Sequence, residues 1–192
     1  RKVEIAEAAR ARAAAFVITA AESAALHLDR IRSTPADFDP AVRDRLIAGA
    51  MIPASAVVRA QKFRRWYRSA VLELFASVDV LLAPETPCVA PKLGQTTLDL
   101  NGQLVPLRPN IGIFTQPISF IGLPVVTVPV PLTPLPMAVQ VIAAPWREDL
   151  ARPFATEPLD FARCPDWSGR LAIAAERRRG AVELLGPVIK FR

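Results

Sequence analysis

Nucleophilic catalysis without a metal needs an activated side chain, and the residues able to serve are few. The serines are Ser23, Ser33, Ser55, Ser69, Ser77, Ser119 and Ser168; no two are adjacent, and none lies in a Gly/Ser-rich run. A hydroxyl becomes a useful nucleophile beside a base, with donors aimed at the developing oxyanion. Ser119 stands between Ile118 and Phe120 with no basic partner nearby, so it is not assigned that role. The single histidine, His27, falls near the end of a helical stretch and reads as a cap or surface group rather than a base. Cys88 and Cys164 each adjoin a proline and make neither a CxxC pair nor a disulfide framework; Cys88 reads as a small buried filler. With one histidine and two distant cysteines a Cys/His metal cluster is not available, and no metal is expected.

The elements that must position any site are those of a globular α/β chain. Of 192 residues, 52% are hydrophobic, enough for a sizeable core and too many for a disordered chain. The net charge of +6 comes mostly from arginine. Arg43, Arg45, Arg59, Lys62, Arg64, Arg65 and Arg68 are interleaved with apolar residues on helical segments, and Arg177–Arg179 is the one triple run. This patterning fits solvated helix faces better than a nucleic-acid site, and no nucleic-acid-binding signature accompanies it. The start, Arg1-Lys2, is not a signal peptide, and the lack of an initial Met points to upstream sequence. From Ile111 to Trp146 no residue is charged, a length that imitates a membrane span. Prolines 117, 124, 129, 131, 134, 136 and 145 interrupt it, each removing a backbone donor, so it reads as buried strands and loops.

Along the chain, Lys2–Ile5 reads as a strand end. An alanine-rich helix covers about Glu7–Leu28, with an uncharged centre, Ala13–Ala21, expected to be buried on most sides. Asp39-Pro40 signals the start of a helix over Ala41–Ile52. A third helix runs from Pro53 to about Ser77, amphipathic through Val57, Ala60, Arg64, Tyr67 and Val71. Val78–Ala83 reads as a buried strand. Asn101-Gly102 supplies a type I′ turn between Thr96–Asp99 and Gln103–Leu107. Pro109–Gly122 is a loop, and Leu123–Val130 and Met137–Ala143 are two buried strands. Beyond Ala151 three prolines forbid one continuous helix, and a short helix is expected over Leu171–Leu185.

Three segments then carry a resemblance. Asp79-Val80-Leu81-Leu82-Ala83-Pro84-Glu85-Thr86-Pro87 resembles the strand-then-loop segment of amidase-signature enzymes. Phe114-Thr115-Gln116-Pro117-Ile118-Ser119-Phe120-Ile121-Gly122-Leu123-Pro124 resembles their Phe-Thr segment, and Val125–Val130 with Leu135–Ile142 resembles their two closing strands. Order and spacing agree over about Ala13–Leu150. Within the family, the words around Ala11–Glu22, Ala60–Arg68 and Phe114–Val126 look like the 1-carboxybiuret hydrolase subfamily. Gly112 stands where the glutamyl-tRNA amidotransferases carry an acidic residue that helps hold glutamine, which argues against glutamine as substrate.

The resemblance implies an α/β fold, the C-terminal portion of the amidase-signature fold, a mixed sheet flanked by helices and incomplete here. It implies amidase domain over 1–150 and a divergent Pro/Arg-rich tail with a short helix over 151–192, the break reflecting an altered frame or an extension. It implies a C–N hydrolase of small urea-like or carboxylated substrates, cytoplasmic and cofactor-free. The family's nucleophilic serine, second serine and lysine base lie upstream of this chain's start, so no catalytic residue is assigned and the chain by itself is expected to be inactive. Thr86, Phe114, Thr115 and Gln116 would form substrate-pocket wall, with Gly122 and Pro124 structural. Thr115 and Gln116 equally suit satisfying nearby backbone, and Glu85 suits either a cationic ligand or water. Expected partners are the small amide, a small helical protein packed on Arg59–Arg68 and a second copy, with no nucleic acid and no membrane. The rival readings are a non-catalytic remnant or interaction module, and a basic nucleic-acid binder recognisable by salt-sensitive binding.

Overall fold

The computed structural model describes residues 3–130, 134–156, 173–178 and 181–183. Helix α1 spans Ala8–Ser33, α2 Pro40–Ala50 and α3 Ala54–Leu74. Asp39 caps α2 as its sequence requires: Oδ1 accepts from the backbone N–H of Ala41 and Val42, and Pro40 occupies the first turn. Of Ala13–Ala21 in α1, only Ala13 and Thr19 are exposed. Val3 and Ile5 are buried but irregular, not the strand end that was expected.

Strand β1, Val80–Pro84, is buried along its whole length. The short strands β2, Thr97–Leu100, and β3, Gln103–Pro106, form a hairpin whose turn places Asn101 at φ 55° and Gly102 at φ 81°. Both central angles are positive, which is what the type I′ geometry demands, and the Asp99 carboxylate accepts from Gly102 N–H at 2.7 Å. The stretch Pro109–Gly122 and the residues just before it are not plain loop. They hold two single helical turns, α4 (Leu107–Asn110) and α5 (Gln116–Ser119). A proline lies within the first turn of α5, where its missing donor costs nothing.

Strands β4 (Val125–Val130) and β5 (Met137–Ala143) follow, then the turns α6 (Glu148–Ala151) and α7 (Pro153–Thr156). The sheet order is β4-β5-β1-β6-β7, antiparallel at every step. Strand β4 is at an edge, and its outward residues Val125, Thr127 and Pro129 are exposed rather than buried as the sequence suggested. An edge strand is where a proline costs no ladder bond. The helix expected over Leu171–Leu185 is corrected: the described residues there are strands β6 (Ile173–Arg178) and β7 (Ala181–Glu183), with β6 paired to β1. The open side of β1 offers unpaired backbone groups, and pairing with them outweighs the local preference for helix.

The layers explain the apolar runs. Leu81, Ala83 and Ile142 of the sheet pack with Ala11, Ala15 and Ile18 of α1 and Ala60, Tyr67 and Val71 of α3. On the other face Val80, Leu82, Val139 and Val141 pack with Ala151 and Leu150 of α6 and Phe154 of α7. A strand covered on both faces has no reason to alternate polar with apolar residues. No helix among the described residues is long and apolar enough to cross a membrane.

One buried group is out of place. Tyr67 is fully buried, lies 6.0 Å ring to ring from Phe63, and its hydroxyl has no hydrogen-bond partner among the described residues. Burial pushes the phenol pKa upward. Removing an unsatisfied hydroxyl while keeping the ring removes a desolvation cost, so Tyr67→Phe is expected to leave stability equal or raise it by up to about 1 kcal/mol. Denaturant midpoints of the two proteins check this.

Candidate functional site

Two loops and one short turn carry the residues singled out in the sequence. Strand β1 delivers the first loop at Pro84-Glu85-Thr86. Its backbone pairing with β5 continues one residue further, Glu85 N–H donating to Ala138 O at 3.0 Å. The second loop, Gly112–Thr115, leads into α5, whose first residue is Gln116.

Gln140 joins the two loops. It lies on β5 opposite Ala83 of β1 and Thr127 of β4. It is the one buried polar residue among those described. Its Nε2 donates to Pro84 O at 2.7 Å and to Phe114 O at 3.4 Å. The sequence did hold a signal for this residue: an amide inside the apolar run Met137–Ala143.

The four residues expected to form pocket wall behave differently from one another. The Thr86 hydroxyl donates to Cys88 O at 2.8 Å, and the Thr115 hydroxyl to Gly112 O at 3.3 Å, so both satisfy backbone within their own loops. Phe114 is buried. Gln116 reaches another element through its side chain: its Oε1 accepts from Arg12 Nε on α1 at 2.9 Å. Glu85 is half-buried, with Oε1 accepting from the Thr127 hydroxyl at 3.4 Å. Gly112 packs close to this turn. A Cβ there would meet Thr115 Oγ1 at 3.3 Å and Gln116 Cγ at 3.4 Å, so a larger residue would impinge on the Gln116 side chain.

Gly122 sits at φ 65° with open space where a Cβ would stand, so its backbone angle, not crowding, calls for glycine. Pro124 precedes β4, and its carbonyl accepts from Ala143 N–H at 3.0 Å, aligning β4 with β5. His27 stands edge-on to Phe38 with ring centroids 5.9 Å apart. Cys88 is half-buried and its thiol pKa is raised by burial. Cys164 and Ser168 lie outside the described residues. Among those described, no group of His, Cys, Asp and Glu side chains is arranged to hold a metal ion.

Gln116 opens onto a cleft of about 310 Å³ between α1, α2, α3 and α5, lined also by Phe16, Glu22, Arg45, Arg64 and Ser119. Thr86, Phe114 and Thr115 do not line it. Arg45 donates to the Thr19 hydroxyl at 3.2 Å and stands 5.1 Å from the Phe16 ring centre. Arg64 Nε donates to Phe120 O at 2.6 Å, and Arg68 Nε to Ile121 O at 3.2 Å, so α3 clamps the end of α5. The ion pairs among the described residues are Arg10–Glu7, Arg43–Asp44, Arg108–Asp39 and Arg147–Asp149, none at the cleft. Arg45 and Arg64 therefore present positive charge to the cleft with no carboxylate bound to either among the described residues. Both stand on helical segments in the sequence, where their convergence on one cleft is not visible.

Comparison with known proteins bears on this arrangement. The family described as Amidase matches residues 3–151. The chain is 49% identical over 142 residues to AtzE, a 1-carboxybiuret hydrolase subunit of Pseudomonas sp. (strain ADP), covering 72% of this chain and 31% of that protein. It is 32% identical over 130 residues to a glutamyl-tRNA(Gln) amidotransferase subunit of Akkermansia muciniphila, covering 62% of this chain and 26% of that one. A solved structure of a vestigial protein complex of an s-triazine catabolic enzyme superposes with a TM-score of 0.74 at 48% identity, over 77% of this chain and 33% of that chain. The chain thus spans about a third of the length of the relatives it matches.

Proposed function

The chain belongs to the amidase family, and on that premise we propose that it supplies one wall of the pocket of a hydrolase that cleaves C–N bonds of small urea-like, carboxylate-bearing amides. The observation that carries this reading is the cleft beside Gln116. An amide side chain matches a urea-like group, and Arg45 and Arg64 offer guanidinium groups to a carboxylate. The cleft's size falls at the lower end of the range for small-molecule sites, about 300–1,000 Å³. Similarity to a subunit of a 1-carboxybiuret hydrolase agrees with this class. Thr86, Phe114 and Thr115 are proposed as wall behind the cleft, held in place through Gln140.

None of the described residues is placed as nucleophile. Ser119 is exposed and its hydroxyl donates to Gln116 O at 3.3 Å, a bond within the turn that does not activate it. The expected result is saturable binding of a carboxylated amide such as malonamate, followed by calorimetry, with no release of ammonia by this chain. Absence of any binding of malonamate would sink the pocket reading, and steady ammonia release would show that a nucleophile has been overlooked.

Residues 1–150 are proposed as the amidase unit and 151–192 as a separate tail, though β6 of that tail adds to the sheet at β1. Assembly with a further protein is proposed through the exposed face of α3, where Arg59, Lys62, Arg65 and Trp66 stand in solvent. This surface fits a small acidic helical partner, or a second copy. The similarity to subunits of larger assemblies supports an interface of this kind.

A further inference from the structure

We infer that Arg12 is a positioning residue that fixes which end of the Gln116 amide the cleft receives. The bonding runs in one direction. Asn110 Nδ2 donates to Pro106 O at 2.8 Å, which leaves its Oδ1 to accept from Arg12 at 2.9 Å. The same guanidinium nitrogen donates to Pro109 O, while Nε donates to Gln116 Oε1 at 2.9 Å. The guanidinium lies 5.3 Å from the Phe16 ring centre and is half-buried, and burial lowers its pKa. A guanidinium only donates, whereas a glutamine amide has one accepting and one donating end. Turning the Gln116 amide over would set its NH2 against the donors of Arg12. Its oxygen is therefore committed to Arg12, and its Nε2 has no partner among the described residues.

Gln116 consequently offers the cleft a donor. Arg45 and Arg64 also only donate, and Glu22 is the sole carboxylate among the lining residues. At this end the site selects an oxygen of the ligand, a carbonyl or carboxylate, and rejects an NH2. The inference deepens the pocket reading proposed above and rests on it for the ligand, but the amide orientation itself is measurable without any ligand.

The test pairs the free chain with biuret as the urea-like probe. In the free chain, a through-hydrogen-bond NMR coupling between Arg12 Nε–H and the Gln116 side-chain carbonyl carbon is expected; its absence overturns the assignment. Gln116→Glu keeps the acceptor facing Arg12, turns the contact into an ion pair and deletes the donor. It is expected to raise the melting temperature while weakening biuret binding by about tenfold or more. A purely structural contact would move binding and stability together. Unchanged biuret affinity in Gln116→Glu would overturn the selection of oxygen. Arg12→Lys, which keeps the charge but loses the forked donors, is expected to weaken binding through disorder of the amide, without loss of fold; full wild-type affinity in it counts against the inference. If wild-type chain shows the coupling but binds no biuret, the pocket reading fails while the positioning role of Arg12 stands.

Discussion

Replacing Gly49 by alanine is expected to cost about 3 kcal/mol of stability, because a single methyl group there has nowhere to go. Gly49 is buried near the end of α2, where that helix crosses α1. A Cβ would stand 2.2 Å from Ala20 O, 2.7 Å from Ala20 C and 3.1 Å from Ala24 Cβ. The first two are backbone atoms of α1, so no rotamer change relieves the contact and one helix must move. Alanine's better helix propensity returns about 1 kcal/mol, which is too little to offset it. For a chain of this size the melting temperature should fall by roughly 6–12 °C. Displacing α1 from α2 also displaces Arg45 from Thr19 and opens the cleft, so ligand binding should weaken in parallel. Thermal melts of wild-type and Gly49→Ala protein decide the matter; equal melting temperatures would mean the two helices are not in this close contact. A control at the exposed neighbour, Ala50→Ser, is expected to stay within about 0.5 kcal/mol.

This contact also shows what a sequence conceals. Asp39-Pro40, Asn101-Gly102 and the apolar run before Pro84 act locally, through a cap, two positive φ angles and a buried strand, and each is visible in a few consecutive residues. Gly49 and Ala20 are far apart in the chain, and nothing in either neighbourhood says that their backbones touch. The same holds for the site. The segment from Phe114 to Gln116 is expected from its residues to be pocket wall, yet Phe114 and Thr115 do not line the cleft, Thr115 serves its own loop, and Gln116 is bonded to Arg12, 104 residues away. Arg12 lies in an alanine-rich helix where an arginine signals nothing in particular. The strands at 173–178 and 181–183 were misread for a related reason: the alanines and arginines there favour a helix locally, while the partner that makes β6 a strand is β1.

Gln140 is where the fold and the pocket depend on one side chain. It is 2% exposed, and its NH2 serves carbonyls on both loops, the second of which leads into α5 and Gln116. Gln140→Leu fills similar space but removes the donor. The carbonyls of Pro84 and Phe114 then lose a partner inside the core, at an expected cost of about 2–4 kcal/mol in all. Gln140→Glu separates the donor from the shape. A protonated carboxyl can still donate to one of the carbonyls, whereas an ionised one is a buried charge facing two oxygens. Its folded-state pKa must therefore lie above the unfolded value of about 4.3. Between those two pKa values the folded state holds a proton that the unfolded state has released. Stability of Gln140→Glu is thus greatest below about pH 4.3 and falls by about 1.4 kcal/mol per pH unit until the folded pKa is passed. Wild type has no group of this kind at the position, so the difference between the two proteins in urea midpoints should widen from about pH 4 to about pH 7. A constant difference across that range would show that the introduced carboxylate reaches water, and hence that Gln140 does not occupy the sealed junction between the two loops. Because the second loop leads directly into α5 and Gln116, which lines the cleft, the same variant should lose affinity for malonamate as the pH rises, in step with its loss of stability.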